Sequence, residues 1–137
     1  MLSILAAMAA VAMSRMGSSL VANLRSTTDA RRLSLDLLQA KRRAIASGDD
    51  HYLLLSGAGP YTGYTLYRQT SGGDVAVDTP RMFPAEVVVT STHNQLQYTF
   101  EGNALAAYQV TLTAPDRTWQ LSVTPATGTV QTVQTAP

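Results

Sequence analysis

Residues 29–50 read DARRLSLDLLQAKRRAIASGDD, and the fold turns on where the helical period of this stretch ends. Leu33, Leu37, Ala40 and Ala44 follow the i, i+4, i+7 spacing of one helix face, with Leu38 and Ile45 on its flank. Arg31, Arg32, Asp36, Lys41, Arg42 and Arg43 fall mostly on the remaining arc. One stripe therefore packs on a partner while the other side stays in water. Gly48 supplies the left-handed position at which a helix stops, and the cations before it suit the negative end of the helix dipole. The helix is expected to end close to Ser47.

Upstream, no proline occurs from Met1 to Ser47 and no glycine between Gly17 and Gly48, whereas Ala, Leu, Arg and Met are abundant. These choices favour helix throughout residues 1–47. Downstream the period drops to two. HYLLLS, YTLYRQ, DVAVD, EVVVTS, QLQYTF, YQVTLTA, TWQLSV and GTVQTVQ are short, mostly alternating and rich in β-branched or aromatic residues. The turn formers GAGPYTG, TSGGD, TPRMFP, THN, EGNALA, APD and PATG separate them. The expected fold is α+β: a long N-terminal helix, residues 1–47, packed against an antiparallel β domain of about seven or eight strands, residues 48–137.

With 137 residues and 45% hydrophobic content, the chain has room for one modest core and an appendage. A net charge of +1 gives no global field that argues for nucleic acid or a membrane surface. The charge is unevenly placed, however. Arg15, Arg25, Arg31, Arg32, Lys41, Arg42 and Arg43 all lie in the first fifty residues, against Asp29, Asp36, Asp49 and Asp50, and the later chain is mildly acidic. The absence of cysteine removes disulfides and thiolate chemistry.

Catalytic, cofactor-binding and metal-binding residues are not expected. His51 follows Asp49 and Asp50, but three adjacent residues at a helix-to-strand junction rarely converge on one ion, so a solvated turn is the reading. His93 in THN reads as a hairpin turn. SGAGPYTG lacks both the lysine and the strand–loop–helix setting of a phosphate cradle. No Ser/His/Asp set or carboxylate pair stands out among the nine acids, so the chain is not read as an enzyme. Trp119, alternating with Leu121 and Val123, reads as a core anchor. Tyr61, Tyr64 and Tyr67 read as strand and turn residues of the sheet; the alternative for Tyr61 and Tyr64, which stand in a Gly/Pro-rich stretch, and for Arg81 in the next one, is a partner contact on exposed loops 57–64 and 71–84.

The start, MLSILAAMAAVAMSR, admits three readings. A signal peptide cleaved near Ala12 is disfavoured because nothing basic precedes the apolar run, and a buried helix would need wrapping on every side. The third reading is a membrane helix short of its first turns. Thirteen residues span about 20 Å of a roughly 30 Å hydrocarbon core, which leaves on the order of seven residues missing.

An apolar helix running into an amphipathic helix and then a β domain resembles the type IV pilin-like proteins. Within them the chain is similar to the GspH/FimT family, the minor pseudopilins of type II secretion and minor pilins of type IV pili. LSLDLLQAKRRAIASGDD resembles that family's helix end, and LQYTFEGNALAAYQVTLTAPDRTWQLSVTPATGTV resembles its C-terminal hairpins, with Phe100, Gly102, Val110, Leu112, Gly128 and Val130 at the matching places. Mature members normally begin with a Phe-Thr-Leu-Ile-Glu-type segment behind a basic leader that is removed. On this resemblance Met1 falls near the eighth mature residue, so the leader and the first mature residues are expected to be missing.

The resemblance implies a structural subunit of a pseudopilus or pilus. Residues 1–14 would be the membrane and filament-core part of the helix, with Leu2, Ile4, Leu5, Ala9, Val11 and Met13 packing in a helix bundle, and residues 15–47 the amphipathic part. Leu33, Leu37, Ala40, Ala44 and Ile45 would dock the β domain. The implied partners are other pilin-like subunits, an exported substrate or secretion machinery, and the bacterial inner membrane before assembly, crossed once with the β domain in the periplasm. No cofactor is implied. Nucleic acid is not expected as a partner. The DNA contacts of the FimT branch are associated with a basic C-terminal tail, whereas GTVQTVQTAP has no Lys or Arg, so Lys41-Arg42-Arg43 reads as a solvated helix face. The competing reading is an exported periplasmic β-sandwich binding protein with a cleaved signal peptide.

Overall fold

The computed structural model describes the backbone of residues 2–135 and the side chains of residues 21–135. Leu2, Ile4, Leu5, Ala9, Val11 and Met13, expected to pack in a helix bundle, thus have side chains outside the described residues. Helix α1 runs from Leu2 to Ser47. Its end has the physical cause expected: Gly48 takes φ +76°, and its N–H donates to the Ala44 carbonyl at 3.0 Å, closing the last turn. Among the described residues no helix is long and apolar enough to cross a membrane.

Among the described residues nine strands follow, in two antiparallel sheets. The first sheet holds β1 (His51–Ser56), β2 (Gly63–Thr70), β3 (Gly73–Ala76), β4 (Arg81–Met82) and β6 (Gln95–Tyr98), in the order β3-β2-β1-β6 with β4 also paired to β2. The second holds β5 (Val88–Ser91), β7 (Tyr108–Thr113), β8 (Thr118–Val123) and β9 (Val130–Thr135), in the order β5-β7-β8-β9.

Two differences from the sequence reading have clear causes. TPRMFP, read as a turn, contains β4, because Gly63 lets Arg81 and Met82 approach β2 directly: a Cβ on Gly63 would lie 2.3 Å from the Arg81 carbonyl oxygen. THN, read as a hairpin turn, instead carries the chain from one sheet to the other, since β5 pairs with β7 and β6 with β1. The alternation of apolar residues is the same in both cases and does not reveal which sheet a strand joins.

The core lies where α1 meets the inner faces of both sheets. Ala30, Leu33, Leu37, Ala40 and Ala44 are fully buried against Leu53, Leu55, Leu66, Leu96 and Tyr98 of the first sheet and Val89, Val110, Leu112, Leu121 and Val123 of the second. Ala30, Ala40 and Ala44 keep the helix axis close to the strands, and Leu33 and Leu37 fill the space between helix and sheets. Beyond Ala30 the buried stripe continues through Ser26, Asn23 and Ala22. Ser26 and Thr27 donate their hydroxyls to the Asn23 carbonyl and Thr28 to that of Leu24, so this polar stretch satisfies itself within the helix. Trp119 packs against the core while only partly buried.

Candidate functional site

Opposite the core, α1 carries a second apolar stripe. Leu24 is 60% exposed and Leu35 65% exposed. Eleven residues make about three helical turns, so these two side chains share a face, with Val21, Thr28, Leu38 and Arg42 beside them. Leu38 is half buried in a shallow depression with Leu35, Gln39, Arg42, Arg43 and Ala46. An exposed leucine alone means little, but several at helical spacing on one face form a surface suited to a second helix.

Side-chain contacts fasten this helix to the sheets. Near its described start, Asn23 and Asp116 pair reciprocally: the Asn23 amide donates to the Asp116 carboxylate at 3.2 Å, and the Asp116 N–H donates to Asn23 Oδ1 at 3.1 Å. Arg117 in the same β7–β8 turn donates to Thr27 Oγ1 at 3.3 Å. Midway, Asp36 accepts from the Tyr64 hydroxyl at 2.6 Å and from Arg81 Nε at 2.8 Å. Burial and the Asp36 carboxylate push the Tyr64 phenol well above its ordinary pKa, so it is a permanent donor in this pair. Lower down, Lys41 Nζ donates to the Thr127 carbonyl at 2.8 Å. Arg43 lies 3.8 Å from Asp78.

Past the helix end, Asp49 takes two contacts from Arg68, at 2.8 and 2.6 Å. Asp50 accepts from the Phe100 N–H and from Gln97 Nε2, which also donates to Gln69 Oε1. The acid pair at 49–50 thus fastens β1 to β2 and β6 by hydrogen bonds.

Several sequence expectations are corrected here. Tyr64 is a strand residue, and its alternative reading as an exposed contact is corrected: it is 3% exposed because β2 starts at Gly63 and turns its ring inward onto Phe83 and Asp36. Tyr61 is partly buried against the core, its N–H bonded to the Val89 carbonyl, and Arg81 is committed to Asp36 while its side chain stays 42% exposed. Asp36, assigned to the wet arc of the helix, is nearly buried for the same reason. Ile45 is 52% exposed at the margin of the helix-to-sheet contact, where it covers Gly102; a Cβ there would lie 2.9 Å from Ile45 Cδ1. His51 is a buried first residue of β1 with Nδ1 against the Asp49 carbonyl, rather than part of a solvated turn. Leu33, Leu37, Ala40 and Ala44 are buried where the helix meets the sheets.

The outward stripe is hard to see in the sequence because Leu35 stands between Leu33 and Leu37, whose period marks the opposite face. At 100° per residue it cannot share that face, and the same half-turn offset at Leu24 was the available signal. Among the described residues no group of three or more His, Asp or Glu side chains is placed to hold a metal ion.

Beside the stripe, α1 and the segment after β4 form a groove lined by Val21, Leu24, Arg25, Thr28, Asp29, Arg32, Met82, Phe83 and Pro84. Arg25 reaches across to Glu86, at 3.1 Å. Asp29 is 8% exposed, and its Oδ2 has no hydrogen-bond partner among the described residues. Desolvation raises its pKa despite the opposing pull of Arg32 and Arg25.

The chain is similar in fold to the minor pseudopilin EpsH of the type 2 secretion system of Vibrio cholerae. One EpsH structure matches with a TM-score of 0.67 and 15% identity over 80% of this chain and 96% of that one. A second gives 0.67 and 13% identity, over 82% and 97%. The type IV minor pilin FimU of Pseudomonas aeruginosa, strain PAO1, matches with a TM-score of 0.66 and 17% identity over 81% and 91%. No curated protein shows significant sequence similarity to the chain. The model of the family described as type II transport protein GspH matches residues 29–128, from the buried Asp29 through the helix end and the C-terminal hairpins. On that match, and with the pilin-like fold of one long helix packed on antiparallel sheets, the chain belongs to the GspH family of type II transport proteins.

Proposed function

We propose that the chain is a minor pseudopilin or pilin subunit that assembles through α1 with other pilin-like subunits of a filament. The observation that carries this reading is the second apolar stripe: Leu24 and Leu35 stay exposed on the face of α1 opposite the core, where a neighbouring helix can cover them. The family assignment supports the same role and does not favour an exported binding protein cleaved near Ala12. In this reading the chain works by contact and has no enzymatic activity.

Its parts divide accordingly. Residues 1–14 anchor the subunit in the inner membrane, with Leu2, Ile4, Leu5, Ala9, Val11 and Met13 later packing among helices in the filament, and small residues such as Ala9 and Gly17 permitting close approach. Residues 15–47 carry the β domain, residues 48–137, on the periplasmic side. Tyr61 and Arg81, the latter half exposed, remain available at the rim for a neighbour, an exported substrate or the secretion machinery. The type II pseudopilus is favoured by the family description, and a type IV pilus by the FimU likeness in fold.

Co-purification with pilin-like proteins from the native host tests the reading. The full chain should bring them down, and a chain with Leu24→Ser and Leu35→Ser should not. Equal recovery by both chains overturns assembly through this face.

A further inference from the structure

A sheet edge presents a row of backbone donors and acceptors that something must cover. Two edges of the two sheets are covered from within the chain. On the outer side of β5 the Tyr61 N–H donates to the Val89 carbonyl, and on that of β6 the Leu105 N–H donates to the Gln97 carbonyl. The edge of β3 is open among the described residues. The Val77 N–H donates to the Leu66 carbonyl at 2.8 Å, which fixes the alternation: Gly73, Val75 and Val77 face β2, and the N–H and C=O of Asp74 and Ala76 point away from it.

Beside that edge lies a depression of about 410 Å³, with the last turn of α1 on one side, β3 on the other, and His51 and Arg68 between them. Its polar groups are unequally committed. His51 is 2% exposed, and its Nδ1 stands 2.9 Å from the Asp49 carbonyl; a carbonyl only accepts, so Nδ1 donates. Nε2 is then an acceptor in the neutral ring, and it has no partner among the described residues. Arg68 is held by Asp49 at 2.8 and 2.6 Å. Arg43 is not held in this way, because Asp78 stands 3.8 Å from it, beyond hydrogen-bond distance. The remaining wall is apolar, with Val75 and Val77 on the strand side and Ala46 on the helix side.

We propose that this groove receives the carboxy-terminal segment of a partner polypeptide, added to β3 as a short strand. The Asp74 and Ala76 backbone supplies the pairing, and Arg43 turns from Asp78 to the terminal carboxylate. A small aliphatic last side chain fits between Val75, Val77 and Ala46, and an N–H or hydroxyl of the peptide donates to His51 Nε2. Main-chain bonds give affinity in such an arrangement, and the pocket gives specificity. The two arginines are balanced by Asp49 and Asp78, so a free anion gains little here. A carboxylate delivered by a paired strand does not depend on charge alone. The site is separate from Leu24 and Leu35 and goes beyond assembly through α1.

The test is a titration of the full chain in detergent micelles with acetyl-Thr-Val-Thr-Val bearing a free carboxylate, followed by amide NMR and hydrogen exchange. Signals of His51 and of residues 73–77 should move, and exchange of the Asp74 and Ala76 amides should slow by about tenfold or more. The same peptide with an amidated end should bind about tenfold more weakly, and Arg43→Gln should remove that difference between acid and amide. Ala76→Pro should weaken binding by about tenfold too. The Ala76 N–H lies outside the β2–β3 ladder, so an edge strand tolerates the ring while an incoming strand loses its donor.

Unchanged spectra on addition of the free acid overturn the proposal. Equal binding of acid and amide also overturns it, making the groove a site for an internal strand. Undiminished binding by Ala76→Pro does the same by placing the peptide away from the edge. Should Ala76→Pro not fold, which its own spectrum reveals, Arg43→Gln decides: an acid-to-amide difference that survives in that chain overturns the proposal.

Discussion

The two faces of α1 between Val21 and Ser47 carry similar aliphatic side chains and differ in what covers them. On one face Ala30, Leu33, Leu37, Ala40 and Ala44 are sealed by two sheets; on the other Leu24 and Leu35 meet solvent. The covered face sets Leu33 and Leu37 between Ala30 on one side and Ala40 and Ala44 on the other, and the alanines let backbone come close to backbone. The open face places its leucines three turns apart, with Thr28, Arg31 and Arg32 between them. A helix built only to support a β domain needs the first pattern alone. The second gives the subunit a surface that stays soluble while unpartnered and still offers anchor points to another helix.

The comparison is broken most severely from the covered side. Leu37→Ala deletes a fully buried side chain where helix and sheets meet, and should cost about 2–5 kcal/mol, read as a fall in the urea midpoint. Tyr64→Phe is the next largest change. It leaves packing with Phe83 in place but takes from Asp36 the donor at 2.6 Å, so about 1.5–3 kcal/mol should be lost. Arg81 keeps the charge of Asp36 partly compensated, which places the expected loss toward the lower end.

How far these contacts were legible in the sequence depends on their range. The Gly48 stop, the Leu33-Leu37-Ala40-Ala44 stripe and eight of the strands rest on local period and turn chemistry, and the sequence carries both. Asp36 could not be placed by period alone. It sits at the edge of the buried arc, and its burial is made tolerable by Tyr64 and Arg81, which the chain brings to it from far along the sequence. His51 and β4 were obscured in the same way, by long-range pairing across a close backbone approach at Gly63 or a sheet face filled from elsewhere. The Asp29 groove was equally hidden, because half of its wall comes from Met82, Phe83 and Pro84.

A smaller, pH-dependent effect separates the sealed interior from the open face without mutation. The phenols of Tyr52, Tyr64 and Tyr98 are all raised: burial is the main cause in each, aided by Asp74 for Tyr52, which is pushed up to about 12, and by Asp36 for Tyr64. Their contribution to stability is full below the unfolded tyrosine pKa of about 10 and is lost as pH rises through the folded values, because the unfolded chain then binds fewer protons. Thermal unfolding should therefore shift downward as pH rises from 10 toward 12. Spectrophotometric titration should find these three tyrosines ionising late, and the Tyr64→Phe chain should show a shallower decline.

The smallest effect on stability belongs to the open face, and there the smallness is itself the prediction. Leu35→Ser removes an aliphatic side chain already in water, at the cost only of a modest difference in helix propensity, so the melting midpoint should move by no more than about 0.5 kcal/mol allows. If Leu35 belonged to a hidden part of the core, the loss would approach that of Leu37→Ala. Assembly should respond in the opposite order: the Leu35→Ser chain, as stable as the parent, should fail to co-purify with pilin-like partners, while a Leu37→Val chain, less stable but with its outward face intact, should still recover them. A residue whose removal spares the fold and abolishes assembly is doing its work between molecules, and α1 separates the two duties by half a helical turn.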